Sequence, residues 1–334
     1  MQRIGEKMPA YSVAIRTLGL AGEAFQRELQ SIAGQTVRPE RVVVYVAEEC
    51  GEEFRDGSFC GEEYVYVKRG MVAQRALRYD EIDTEYVLLL DDDVELVPDS
   101  TEKMLMAMEE KKADCVGADT YGHQDGAFLR KLYTLTTNLD YPHCDRRWAF
   151  KIHRNGSFSY LWKTPSEENV LPTQYFAGPC AMWRKDAIRR LRWEDELWMD
   201  REAFAYMDDT VESYKLHVNG GKMFLHYDTG GKNLNARTAS GVYRSKSTRF
   251  YVRTKMGFCV WWRTIYEIEK SWFSAFLTAL SYAAKALWAI LISVFAAFFF
   301  LNPTVPFYHV KGLVDGWKFV HSEDYKKIGK YILN

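Results

Sequence analysis

The chain has 334 residues with 44 basic and 45 acidic side chains, a length that holds one large α/β domain or a catalytic domain with an appendage. The balanced charge excludes a nucleic-acid coat and an acidic tail, so no nucleic-acid partner is expected and any electrostatic function falls to local clusters. Six cysteines without a CxxC pair exclude a zinc ribbon and a disulfide framework and read as reduced cytosolic thiols; the first ten residues carry no apolar run fit for a secretory signal, so the amino-terminal part is expected to stay inside.

In chain order, residues 11–18 (YSVAIRTL) form a β-rich run, and 22–33 carry apolar residues close to helical spacing. Val42 to Val46 is a continuous apolar run of the kind buried on both faces of a parallel sheet, ending in Glu48 and Glu49. Residues 71–80 are predicted helical, and 86–90 (YVLLL) is a further buried strand that stops at Asp91-Asp92-Asp93. Strands alternating with helices predict an open, mostly parallel α/β sheet whose ligands collect at the carboxyl ends of the strands. Further on, 101–112 reads as a helix, 114–118 as a strand and 120–172 as a loop-rich polar and aromatic stretch. A strand-like YFAGPCAMW then runs into the helical KDAIRRL, 207–218 is helical in pattern, and Gly220-Gly221 turns into a short strand at 222–227.

Three adjacent carboxylates after a buried strand repel one another unless a cation sits among them. In an extended or turning segment Asp91 and Asp93 point to one side, a spacing that holds one hard divalent ion together with phosphate oxygens; the alternative is a solvated acidic turn. The order of features resembles the family 2 glycosyltransferases with the GT-A fold over roughly residues 10–235: SVAIRTLG is similar to the opening strand, GEAFQRELQSIAGQTVRPERVVVYVAEE to the helix, turn and second strand, and RGMVAQRALRYDEIDTEYVLLLDDDVELVPDS to the Gly-x-x-Ala-x-Arg segment leading into an Asp-x-Asp strand.

The resemblance implies a GT-A-type mostly parallel open sheet flanked by helices and a glycosyltransferase acting on a nucleotide-diphosphate-sugar donor. Thr17, Glu48 and Glu49 would then lie near base and ribose, and Arg75 near the nucleotide or its phosphates. Asp91 and Asp92 would bind donor, and Asp91 and Asp93 would hold Mn2+ or Mg2+. The chain departs from the family in Arg16, where proline is frequent, and in Glu48-Glu49, where Asp-Asp is frequent. YFAGPCAMWRKDAIRRL followed by MDDTVESYKLHVNGGKMFLHYD resembles the acceptor strand and acidic helix, making Asp209 the base that takes the acceptor hydroxyl proton; a helix-start acid complementing the dipole is the plainer role for Asp208 and Asp209. One base without a second carboxylate nucleophile favours single displacement with inversion. His226 is either a third metal ligand or a polar strand end. Gly178 either lets backbone approach the donor sugar or makes a plain turn before Pro179. Trp183, Trp193 and Trp198 are offered either to sugar stacking or to the core.

From Trp272 to Leu301 the only charge is Lys285. Residues 286–301 would make ~24 Å of helix, short of a ~30 Å hydrocarbon core; taken whole, 272–301 would make ~45 Å and could cross with tilt, leaving Lys285 near the middle, where it needs snorkelling or a partner. Basic residues on both flanks favour both ends on the cytoplasmic side, as a hairpin or as in-plane helices broken near Lys285; a buried helix of a soluble core is the alternative. The tail FYHVKGLVDGWKFV resembles the ending of family members that build bacterial surface polysaccharides, and Arg249, Arg253 and Lys255 are expected near the diphosphate of donor or lipid carrier. No Gln-x-x-Arg-Trp run of the processive synthases is present. The expected organisation is a catalytic domain at 1–245, divided into a nucleotide-sugar half (10–118) and an acceptor half (119–245), and a membrane-associated region at 246–334. The expected role is transfer to a lipid-linked or polysaccharide acceptor at the cytoplasmic face of the plasma membrane, with membrane lipid as a partner through 272–301. A nucleotidyltransferase, or a membrane-attached protein that binds nucleotide-sugar without turnover, are the alternatives.

Overall fold

A computed structural model describes residues 8–48, 59–120, 141–142, 147–161, 168–202, 204–236, 246–300 and 304–333. Its centre is an eight-stranded sheet. The apolar runs predicted as strands are buried in it: β1 (Tyr11–Thr17), β2 (Val42–Ala47) and β4 (Tyr86–Asp91) lie side by side and parallel, with β3 (Glu63–Val67) parallel on the outer edge of β2. Continuous β-branched and leucine runs suit this position because both faces of the sheet are covered. The partly buried alternation of β3, EYVYV, marks an edge strand that periodicity in the sequence did not single out.

After the short β5 (Val94–Glu95) and helix α2 (Ser100–Lys111), the sheet continues on the other side of β4. There β11 (Cys180–Arg184) is inserted antiparallel between β4 and β6 (Cys115–Ala118); β12 (Met223–His226) pairs parallel with β6, and β10 (Val170–Pro172) closes that edge antiparallel. The order is therefore β10-β12-β6-β11-β4-β1-β2-β3, a mostly parallel sheet. Helix α1 (Glu23–Ala33) lays Phe25, Leu29 and Ile32 on one face of the sheet. Helices α3 (Lys185–Leu191) and α4 (Asp208–Val218) bring Ile188, Leu191 and Leu216 into the core on the other.

Two expectations are corrected. Residues 71–80 are not a helix but a run of turns. The N–H groups of Val72 and Ala73 donate to the carboxylate of Asp200 at 3.0 and 2.8 Å, and the Gln74 side-chain amide donates to the carbonyls of Thr17 and Tyr45, so contacts with distant segments fix these turns in place. The apolar stretch is not broken near Lys285: α6 runs unbroken from Trp272 to Phe300, because the Lys285 ammonium donates to the carbonyl of Gly156 at 2.8 Å and needs no kink to find a partner.

Downstream of the sheet, α5 (Lys246–Trp261), a π-helical turn (Trp262–Tyr266) and α7 (Thr304–Val320) share a core with the central domain. Val252, Met256 and Trp261 pack with Val72, Trp198 and Val211. Beneath that core, Glu196, Lys215 and Arg263 form an ion network with no more than 1% side-chain exposure, Glu196 lying 3.0 Å from Lys215 and 2.9 Å from Arg263. The Tyr331 ring covers both cations and its hydroxyl donates to the Val211 carbonyl of α4. Cys60, Cys115, Cys180 and Cys259 are free thiols.

Candidate active site

The carboxyl ends of β1 and β4 create the site. Their parallel register places Arg16 opposite Asp91, and the guanidinium donates to Asp91 Oδ1 at 2.6 Å and to the Gly178 carbonyl at 3.3 Å. The chain then turns, and each aspartate takes a different environment. Asp92 points into the protein, accepts the Thr17 hydroxyl at 2.5 Å, and is pushed up to about 7 by burial, with the Thr17 hydrogen bond opposing and Asp91 and Asp93 adding to the rise. Asp93 accepts from the Asn233 amide and the Ala236 N–H, each at 3.0 Å; burial raises it above the ordinary aspartate range against those two bonds. Glu28 lies fully buried below the turn, where it accepts the Val94 N–H; burial, and next the charge of Asp92, push it well above the ordinary carboxylate range.

Opposite the triplet stands the start of α4. Met207 takes a left-handed conformation (φ 69°) and aims Asp208 and Asp209 from the first turn, where the helix dipole favours negative charge. Arg75, held out by the Asp200-anchored turns, bridges the two sides: its Nε is 2.9 Å from Asp208, and its terminal nitrogens lie 3.6 Å from Glu212 and 3.7 Å from Asp91. Burial opposes its charge, but Asp208, Asp91 and Glu212 outweigh that and keep it cationic. Gly178 makes the crossing possible, since a Cβ there would meet Arg75 Nη1 at 2.5 Å and the Asp209 Cβ at 3.1 Å.

Between these groups lies a small, partly open cleft lined by Arg16, Arg75, Gly178, Asp209, Glu212 and Ser213 over a floor that includes Phe176, Trp183 and Trp193. Asp209 accepts the Thr210 N–H at 2.7 Å and is pushed up to about 6 by burial and by Asp208, with Arg75 opposing. Glu212 is raised to about 8 by burial, with Arg75 opposing and Asp208 adding to the rise. Its Oε1 is buried without a hydrogen-bond partner.

The residues singled out from sequence fall into three groups. Arg75, Gly178 and Asp209 line the cleft, Asp91 meets it through Arg16 and Arg75, and Thr17, Asp92 and Asp93 lie at the strand end behind it. Glu48 is exposed at the end of β2, on the same edge of the sheet but two strands from β4; Glu49 lies outside the described residues. His226 does not join the aspartates, which corrects the expectation of a third metal ligand. Its strand is three places from β4, ~14 Å at the usual strand spacing, its Nδ1 accepts the Asp228 N–H, and burial lowers its pKa to about 4 against the pull of Asp228. Among the described residues no three His, Cys, Asp or Glu side chains gather as a metal group. Trp183, Trp193 and Trp198 are core residues, at 5% exposure or less. Lys255 pairs with Glu202, and the Arg253 guanidinium sits 5.0 Å from the Tyr206 ring centre, both against the loop that leads to Asp208.

Residues 67–192, spanning the Arg75 turns, the triplet, Gly178 and β11, match the family model described as glycosyl transferase family 2. This stretch is a glycosyl transferase family 2 domain. No curated protein matches the chain in sequence. Among solved structures it is similar to GalNAc-T7 crystallised with UDP, GalNAc and Mn2+, at 11% identity and a TM-score of 0.50 over 76% of this chain and 51% of that one. It is also similar to S. aureus TarS 1–349 in complex with UDP-GlcNAc, at 11% identity and a TM-score of 0.44 over 95% and 92% of the two chains. The chain thus spans about half the length of the GalNAc-T7 chain, and the first likeness shows a shared GT-A-type fold.

Proposed function

We propose that the chain moves a sugar from a nucleotide-diphosphate-sugar donor to a lipid-linked or polysaccharide acceptor in surface glycan assembly, by single displacement with inversion, at the cytoplasmic face of a membrane that it meets through 272–301. The observation that carries this reading is Arg75, lying between Asp91 at the strand end and Asp208 at the helix start, in the cleft that Asp209 also lines. One side offers groups that suit a diphosphate; the other offers a carboxylate able to accept a proton. GalNAc-T7, of like fold, was solved with ligands of this class, UDP and Mn2+.

Donor recognition is assigned to the strand ends. Arg16 and Arg75 offer forked N–H donors of the kind that pair with phosphate oxygens, Thr17 and Asp92 stiffen the rim by their mutual hydrogen bond, and the exposed edge near Glu48 and Glu49 is left for base and ribose. Asp91 and Asp93 are hard oxygen donors of the type that Mg2+ or Mn2+ takes, one or two carboxylates being the usual protein share beside substrate phosphates. The residues fit such an ion by chemistry, with Asp91 meanwhile neutralised by Arg16. When bound, the ion supplies positive charge to the departing diphosphate. Asp209 takes the proton of the attacking hydroxyl, and Asp208 holds Arg75 in place by their ion pair.

The test joins binding and turnover. Calorimetric titration with a panel of nucleoside diphosphates, with and without Mn2+, identifies the donor class. Asp209→Asn is expected to bind the donor nucleotide at least as tightly as the wild type and to lose transfer to membrane-extract acceptors by 10²-fold or more, the range of a positioned base. Full activity in that variant rejects Asp209 as the base.

A further inference from the structure

Fourteen of the 21 large apolar side chains exposed on the described surface lie on α6 and α7. On α6 they include Phe273, Phe276, Leu280, Leu287, Leu291 and Phe298, which recur every three, four or seven residues and so form one stripe along the whole helix. On α7, Phe307, Val310, Val314 and Trp317 make a second stripe of the same kind. The opposite faces are committed to the protein. Tyr282 stacks on Trp261 at 4.0 Å, Ser274 accepts from Arg154, and Lys285 donates to Gly156 in the turn between β8 (Phe150–Ile152) and β9 (Phe158–Tyr160). Gly312 and Gly316 let α7 press against α5, where added Cβ atoms would meet backbone at 2.9 and 3.1 Å.

We infer that α6 and α7 form a single in-plane membrane-docking face, with α6 lying along the lipid surface and not crossing it. This deepens the membrane attachment proposed above and rests on it. The window Trp272–Phe295 has a mean hydropathy of 1.7 and is 6% buried within the protein, a composition suited to hydrocarbon. The only charge of α6 is turned inward to Gly156, so the outward stripe is uncharged throughout. A crossing helix would need its amino-terminal half free of the catalytic domain, yet that half is fixed to α5 and to the 154–156 turn. Residues beyond Lys285 give only ~22 Å of helix, short of the ~30 Å required. Exposed Lys270, just before α6, and Lys318, beside Trp317, border the apolar face as basic groups that complement anionic headgroups. The occupant is therefore an anionic lipid surface.

The experiment uses the full chain with vesicles of phosphatidylcholine containing one quarter phosphatidylglycerol. A fluorescent amino acid replaces Phe273, Leu280, Leu287 or Val294 in turn, and lipids brominated at graded depths report where each sits. In-plane docking gives one shallow depth, ~5–10 Å into the headgroup boundary, at all four positions. A depth maximum near Leu287 shows crossing, and quenching confined to Val294 shows insertion of the helix end alone; either overturns the in-plane face while leaving attachment standing. Absence of vesicle binding overturns both, and concentration-dependent dimerisation without lipid binding assigns the face to a second copy instead. Leu287→Asp with Leu291→Asp, exposed positions where folding is monitored by circular dichroism, is expected to weaken vesicle binding at least 10-fold. Lys270→Glu with Lys318→Glu is expected to remove the preference for phosphatidylglycerol.

Discussion

Neutralising Glu196 probes how the carboxyl-terminal helices are joined to the acidic helix. Glu196 is the anion between Lys215 of α4 and Arg263 of the π-turn, and all three side chains are at most 1% exposed. Asp195 lies 4.0 Å from Lys215 and Glu267 lies 3.6 Å from Arg263, longer and more exposed pairs that cannot replace it. Glu196→Gln keeps the shape and leaves two buried cations short of their counter-charge, a change that costs ~3–5 kcal/mol. Denaturant unfolding followed by tryptophan fluorescence measures the loss at pH 7. Burial works to raise the Glu196 pKa, but Arg263 and Lys215 overcome it and hold the carboxyl below its ordinary value. Its stabilisation is therefore complete above the unfolded glutamate pKa and is lost as pH falls through the lower folded value, so the gap between wild type and variant should close only in strong acid. A difference under ~1 kcal/mol at pH 7, the range of an exposed pair, would refute the buried-network account.

Gly178→Ala should cost ~1–3 kcal/mol by overpacking and lower transfer at least 10-fold, since the new methyl meets Arg75 at 2.5 Å; denaturation and initial rates check both. Arg16→Gln removes the cation that competes for Asp91 and should lower, several-fold, the Mn2+ concentration giving half-maximal binding by electron paramagnetic resonance. Unchanged or weaker Mn2+ binding would count against Asp91 as a ligand. With Asp209 at about 6, activity should rise with pH through that value as the base loses its proton, and a pH–rate profile lacking this limb would remove Asp209 from the role. Asp200→Ala should free the Val72 and Ala73 N–H groups, loosen Arg75 and weaken nucleotide binding without abolishing the fold.

Much of the sheet was legible because β2 and β4 are buried on both faces and so appear as unbroken apolar runs, and β1 as a β-rich one. The triplet was legible because nothing in a strand end calls for three repelling carboxylates. What escaped depends on contacts between distant segments. Residues 71–80 have helical apolar spacing, but the turns they form are anchored at Val72 and Ala73 by Asp200, 128 positions beyond Val72. The separation of His226 from the aspartates follows from β6 and β11 intervening, an order that local pattern does not encode. Arg16 stood out in sequence only as a departure from proline; its pairing with Asp91 comes from strand register. Glu212 had a usable signal, since it follows Asp208 by four positions and Asp209 by three, which places all three acids on one side of a helix.

The charge in the cleft makes Glu212 the control on donor affinity. Arg16 and Arg75 face Asp91, Asp208, Asp209 and Glu212, so a fully ionised cleft is anionic and repels a diphosphate. Burial raises Glu212 to about 8 in spite of Arg75, and at neutral pH the carboxyl is mainly protonated, which leaves Arg75 less neutralised and better able to meet phosphate. Raising the pH from 7 to 9 ionises Glu212 and restores the repulsion, so nucleoside diphosphate affinity, measured by calorimetry without added metal, should fall across that interval. Glu212→Gln fixes the neutral state and should bind as the wild type does at pH 7, then keep that affinity at pH 9. The same proton acts on stability with a definite sign: because the folded pKa lies above the unfolded one, the folded state binds more protons between them, and stability should decline as pH rises through that window in the wild type more than in the variant. An identical pH slope in both proteins would show that Glu212 does not govern the charge met by the donor.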